Sequence, residues 1–181
     1  MKIRHYATKV TVTLFAVFCL VIGAQATTKQ EMGVVINLAG KQRMLTQKMS
    51  KEILLIAAGV DVDANKENLK KTATLFDKTL KGLIAGDTDL GLSKTDNADI
   101  LKQLETVTGL WTEFHKNVDA VLGGDTSKAV LEKVGQQNLP LLKNMNAAVQ
   151  MYAKASGASL DAGVATTINL AGKQRMLTQK M

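Results

Sequence analysis

The sequence predicts an all-α protein: an antiparallel four-helix bundle followed by the first helix of a second, truncated repeat. Three observations carry this. The chain has one proline and only 4% aromatic residues, where an all-β domain would need more aromatics and more turn punctuation. Apolar residues recur at helical spacing in four long segments separated by short Gly- and Asp-rich breaks. The run INLAGKQRMLTQKM occurs twice, at 36–49 and at 168–181, 132 positions apart. That period is far too long for a solenoid and matches one four-helix unit plus its connection.

The first 26 residues read as a secretory signal peptide rather than as part of the fold. Lys2, Arg4 and Lys9 precede an apolar run from Val10 to Ala24, and Ala24-Gln25-Ala26 is an A-x-A cleavage site. The apolar run is shorter than the roughly 20 residues of a membrane span. Cleavage after Ala26 is expected; the alternative is an uncleaved anchor. The only cysteine, Cys19, lies in this run, so the mature chain has no disulfide and no thiol chemistry. Loss of the three basic residues lowers the net charge from +7 to +4. No dense basic block with interleaved aromatics remains, which argues against nucleic acid as a partner.

The expected elements follow in order. A first helix runs from Lys29 to about Gly59, where Gly59, Asp61 and Asp63 break it. A second runs from about Ala64 to Ile84 and stops at Ala85-Gly86. GDTDLGLSKTDN is a loop. A third runs from Ala98 to Leu122 and ends at Gly123-Gly124. Asp125, Thr126 and Ser127 offer N-caps for a fourth, which extends to about Ser156 with a kink expected near Asn138 because of Pro140. Residues 27–157 thus form one unit. Residues 158–181 start a second, incomplete one, and a longer protein is expected to continue it. Trp111 and the methionines read as core. His115 has no ligand partner at helical spacing, so no metal is expected. No cysteine nucleophile, paired histidines or triad suggests an enzyme, and no cofactor is implied.

The repeated motif carries the functional signal. At 100° per residue, Val35, Leu38, Leu45, Met49, Ile53 and Ile56 share one side and form a core stripe. Asn37, Gly40, Arg43 and Gln47 fall within roughly 120° on another side. A helix with two organised faces serves its own core and a second helix. Glycine inside a helix costs about 1 kcal/mol relative to alanine, so Gly40 implies close approach of a backbone or ligand. The mature chain has eighteen lysines but only two arginines, Arg43 and Arg175, at the same place in each copy. Arginine offers a planar fork that matches flat oxyanions and keeps its charge when buried.

INLAGKQRMLTQKM resembles the signature of the PilJ-type domain, the N-terminal domain of type IV pilus methyl-accepting chemotaxis transducers. It is similar also to the Ile-Asn-x-Ala-Gly-x-x-Arg-Met box of nitrate and nitrite sensor kinases of the NarX/NarQ kind. The resemblance implies a periplasmic helical sensor domain that holds a small anion, nitrate or nitrite, where two first helices meet. It implies Arg43 as the anion clamp and Gly40 as the close-approach position, with Asn37 and Gln47 beside them. In the second copy it implies Gly172, Arg175 and Asn169. A homodimer would pair Arg43 with its counterpart; pairing of the repeats within one chain would set Arg43 against Arg175. Membrane attachment would come only through the N-terminal segment or a region beyond Met181. The rival reading is a helical protein-interaction module of a pilus or chemotaxis system with no small ligand.

Overall fold

The computed structural model describes residues 28–158 and 161–179. Residues 1–27, including the stretch read above as a signal peptide and Cys19, and the last residues of the second motif copy lie outside them.

Thr28 and Glu31 start the first helix, α1 (Lys29–Ala57), with a capping box. The Thr28 hydroxyl accepts from the Glu31 amide at 3.2 Å, and the Glu31 carboxylate accepts from the Thr28 amide at 2.7 Å. These two bonds satisfy amides that would otherwise lack partners. Gly59 at φ 73° and Asp61 at φ 41° turn the chain in left-handed backbone. α2 (Val62–Ala85) follows and ends at Gly86, also left-handed at φ 86°. Asp87 and Leu92 exchange backbone hydrogen bonds across the next loop. Asn97 then caps α3 (Ala98–Leu122), its side chain accepting from the amides of Asp99 and Ile100. Ser127 precedes α4 (Lys128–Ala155).

α4 stays helical on both sides of Pro140, where the sequence suggested a kink. The ring removes one amide donor. The Asn144 side chain donates to the Pro140 carbonyl at 2.9 Å just beyond it. A short 3₁₀ turn (Ser156–Ala158) leads to α5 (Ala162–Leu177), whose N-cap Asp161 accepts from the Gly163 amide.

α1 packs on α2, α2 on α3, α3 on α4, and α4 back on α1, which is the expected antiparallel bundle. Its core holds Met49, Ile53, Leu69, Phe76, Leu104, Phe114, Leu141 and Met145, all fully buried. Trp111 packs tilted against Phe76, ring centroids 4.4 Å apart, and is core, as its helical spacing predicts. α5 stands outside this bundle. It packs along α1 and touches α4 more lightly.

Candidate functional site

The two copies of the motif meet inside one chain. α1 and α5 run parallel, with Gly40 opposite Gly172 and Gly33 close to Ile168. A Cβ at Gly172 would lie 3.6 Å from the Gly40 Cα, and one at Gly40 would lie 3.9 Å from the Gly172 Cα. The missing side chains are what let the two backbones approach.

The arginines cross reciprocally. Side chains on a helix lean toward its N-terminus. From Arg43 that direction leads to the level of Asn169, and from Arg175 to the level of Asn37. Arg43 Nη2 donates to the Asn169 carbonyl at 3.0 Å, and Arg175 Nη2 donates to the Asn37 side-chain oxygen at 2.7 Å. Asn37 and Asn169 are the same position of the repeat. Each arginine therefore reaches the asparagine of the other copy, as two subunits would across a two-fold axis.

The environments differ in depth. Arg43 is 2% exposed, whereas Arg175 is exposed. Arg43 also donates from Nη1 to Asn146 Oδ1 on α4 at 2.7 Å and, at a longer 3.4 Å, from Nε to the Gly40 carbonyl. Among the described residues neither arginine has a carboxylate within 4.0 Å. Burial, and then the nearby charge of Arg175, push the Arg43 guanidinium below its ordinary pKa. A buried cation without a counter-ion is costly. The two guanidiniums are close: Nη2 of Arg43 and of Arg175 lie 3.0 and 3.7 Å from the same point, the Cβ position of Gly172.

A groove of about 420 Å³ opens from Arg43 between α4 and α5. Lys143, Lys173, Asn146, Gln150 and Asn169 line it with Arg43, and among the described residues no carboxylate does. Arg175 and Asn37 face a second, shallower groove on the other side of the crossing. The Asn169 side-chain oxygen is buried with no hydrogen-bond partner among the described residues. Turned over, that amide would present NH donors to the same space. The arrangement can receive a small, flat, acceptor-only anion.

Of the residues singled out from sequence, Asn37, Gly40, Arg43, Asn169, Gly172 and Arg175 come together at the crossing. Gln47 does not. It is buried one turn further along, and its Nε2 donates to Asn138 of α4 at 2.7 Å. Beside this face Ile36 is fully buried, while Leu54 is half-exposed. Sequence reasoning missed Asn146, the direct partner of Arg43, because its role depends on how α4 packs against α1. His115 contacts Trp111 and lies 3.8 Å from Asp119, and no cluster of three metal-ligating side chains occurs among the described residues. No helix of the described residues is long and apolar enough to cross a membrane.

Comparisons with known proteins bear on the fold and the family. The methyl-accepting chemotaxis protein McpN of Pseudomonas aeruginosa is 28% identical over 116 residues, or 64% of this chain and 21% of that protein. This chain thus spans about a fifth of the curated relative it matches. The solved ligand-binding domain of the P. aeruginosa nitrate receptor McpN superposes with a TM-score of 0.59 at 27% identity, covering 68% of this chain and 96% of that one. Residues 25–137 match the family described as the type IV pili methyl-accepting chemotaxis transducer N-terminal domain, PilJ, and the chain belongs to that family.

Proposed function

We propose that this chain is a periplasmic ligand-binding sensor module that takes a small oxyanion where α1 and α5 cross. Nitrate is the first candidate, because the related solved domain belongs to a nitrate receptor. The family is one of chemotaxis transducers, not of enzymes. The observation that carries the reading is the buried Arg43 guanidinium, opposed by Arg175 and without a carboxylate. An anion in the groove at Arg43 would offset both the desolvation of Arg43 and its repulsion with Arg175 across the crossing. Binding would then favour one packing of α5 on α1, which is the differential a sensor needs. Export rests on the signal-like order of residues 1–26. Residues 158–181 form the start of a second unit of the same kind in this reading.

Calorimetric titration with nitrate in chloride buffer tests the site. Wild type should bind saturably. Arg43→Lys and Arg175→Lys should each weaken binding at least about tenfold, since lysine keeps the charge but loses the fork. If only Arg43→Lys weakens it, the site lies between two chains rather than within one. No heat from the folded wild type would overturn the anion reading. One observation favours the rival interaction-module reading: three protein oxygens already accept from the Arg43 fork. In that reading both lysine variants leave nitrate without effect.

A further inference from the structure

We propose that the groove at Arg43 takes a short dicarboxylate, with one carboxylate on the Arg43 fork and the other held by Lys143 and Lys173. The inference rests on the reading of Arg43 as an anion clamp and deepens it by naming a ligand class.

Size points beyond nitrate. The groove measures about 420 Å³, inside the range of roughly 300–1,000 Å³ that small organic ligands occupy. A nitrate ion takes about the room of two water molecules, each roughly 30 Å³ in the liquid, and leaves most of that space unfilled.

Charge points the same way. Arg43, Lys143 and Lys173 bring three cations to one groove. Among the described residues no carboxylate lies within 4.0 Å of any of them. Three of the five Arg43 N–H groups donate to protein oxygens. The two that remain match the two oxygens of one carboxylate. A monoanion seated there leaves both lysines unanswered. Each lysine is exposed and carries a compact charge on a flexible stem, so the pair suits a second anionic group nearer the rim.

The rest of the lining is apolar. Leu142, Leu170 and Met176 share the groove with these cations, and Leu170 is 54% exposed. Nitrate has no apolar surface to lay on them, whereas the methylenes between two carboxylates do. The asymmetry of the crossing shows where the extra anchor comes from. The groove at Arg175 has no lysine among its described lining residues. Lys143 and Asn146 lie three apart on one face of α4, outside the repeated motif, and only Arg43 meets that face.

Calorimetry at constant ionic strength in chloride buffer tests this, with acetate, nitrate, sulfate and the series malonate, succinate, glutarate and adipate as probes. One member of the series should bind at least about tenfold more tightly than acetate, the effect of one added charge-assisted bond. Sulfate, a compact dianion without methylenes, should not match it. Lys143→Gln and Lys173→Gln should each reduce the advantage over acetate to about threefold or less, and should weaken nitrate less than they weaken the dicarboxylate. Arg43→Lys should weaken every carboxylate. If nitrate binds but no dicarboxylate exceeds acetate, or sulfate equals the best of them, the proposal falls and the anion site stands. If none of the probes binds the folded chain, both fall. A lysine-dependent dicarboxylate without nitrate binding would uphold the proposal and remove nitrate as the ligand.

Discussion

Arg43 is the side chain on which the proposed anion site rests. Its nearest polar side chain is Asn146, at 2.7 Å, a neutral acceptor where a structural ion pair would have a carboxylate. Asn146→Asp would supply that carboxylate at nearly the same volume. The expected result is loss of nitrate binding by more than tenfold in calorimetry, with a fold as stable as wild type or more so by about 1 kcal/mol, because the charge-assisted bond is the stronger one. Unchanged nitrate affinity in that variant would place the anion elsewhere. Gly172→Ala gives a second residue-level test. Its Cβ would lie 3.0 Å from Arg43 Nη2, the end of a flexible side chain. The arginine should yield rather than the helices, so nitrate affinity should fall several-fold while the melting temperature shifts little. The candidate site was legible in sequence as far as one helix can report: Asn37, Gly40 and Arg43 share a face, and their copies recur. Asn146 and the displacement of Gln47 to Asn138 were not legible, because they depend on which face of α4 meets α1.

At the scale of elements, α1 and α5 form an internal control, since the same letters meet different surroundings. Leu45 is 3% exposed in the bundle, whereas its copy Leu177 is 44% exposed. Leu45→Ala should cost about 2–4 kcal/mol in denaturant unfolding, the usual range for a buried leucine, and Leu177→Ala less than about 0.5 kcal/mol. Equal costs would mean that α5 is packed into a core of its own. The helix limits were largely readable from caps and breakers. Thr28, Asn97, Gly59 and Gly86 stop or start helices by local chemistry alone, and α3 spans the Ala98–Leu122 expected. Pro140 lies inside α4, where the sequence placed it: an isolated proline removes one hydrogen bond, and the helix continues on both sides of it. The partner of the second face of α1 was beyond the sequence: the repeat pointed equally to another chain and to α5.

At the scale of the whole molecule, Tyr152 ties three parts of the bundle together. It projects from α4 and meets Thr95, in the α2–α3 connection, through a hydroxyl–hydroxyl bond of 2.5 Å. Thr95 in turn donates to the Leu83 carbonyl near the end of α2 at 2.6 Å. Burial pushes the phenol from its ordinary 10.0 up to about 12, with the Thr95 bond opposing part of that rise. Because the folded value is the higher one, the neutral phenol's stabilising effect is complete below pH 10. Between pH 10 and about 12 the unfolded chain releases the proton and the folded chain keeps it, so stability falls as pH rises. The shift corresponds to roughly 2–3 kcal/mol once pH passes the folded value. Tyr152→Phe removes this titration but leaves every lysine in place. Urea unfolding from pH 9 to 12 should therefore show wild type losing stability faster than the phenylalanine variant across that window. The variant should start lower at pH 9 by about 1 kcal/mol for the lost hydrogen bond, and the two curves should cross as the phenol ionises in the unfolded chain. Parallel curves would mean that the bundle opens around Tyr152 before it unfolds, and that the tie between α4 and the α2–α3 connection is not closed in solution.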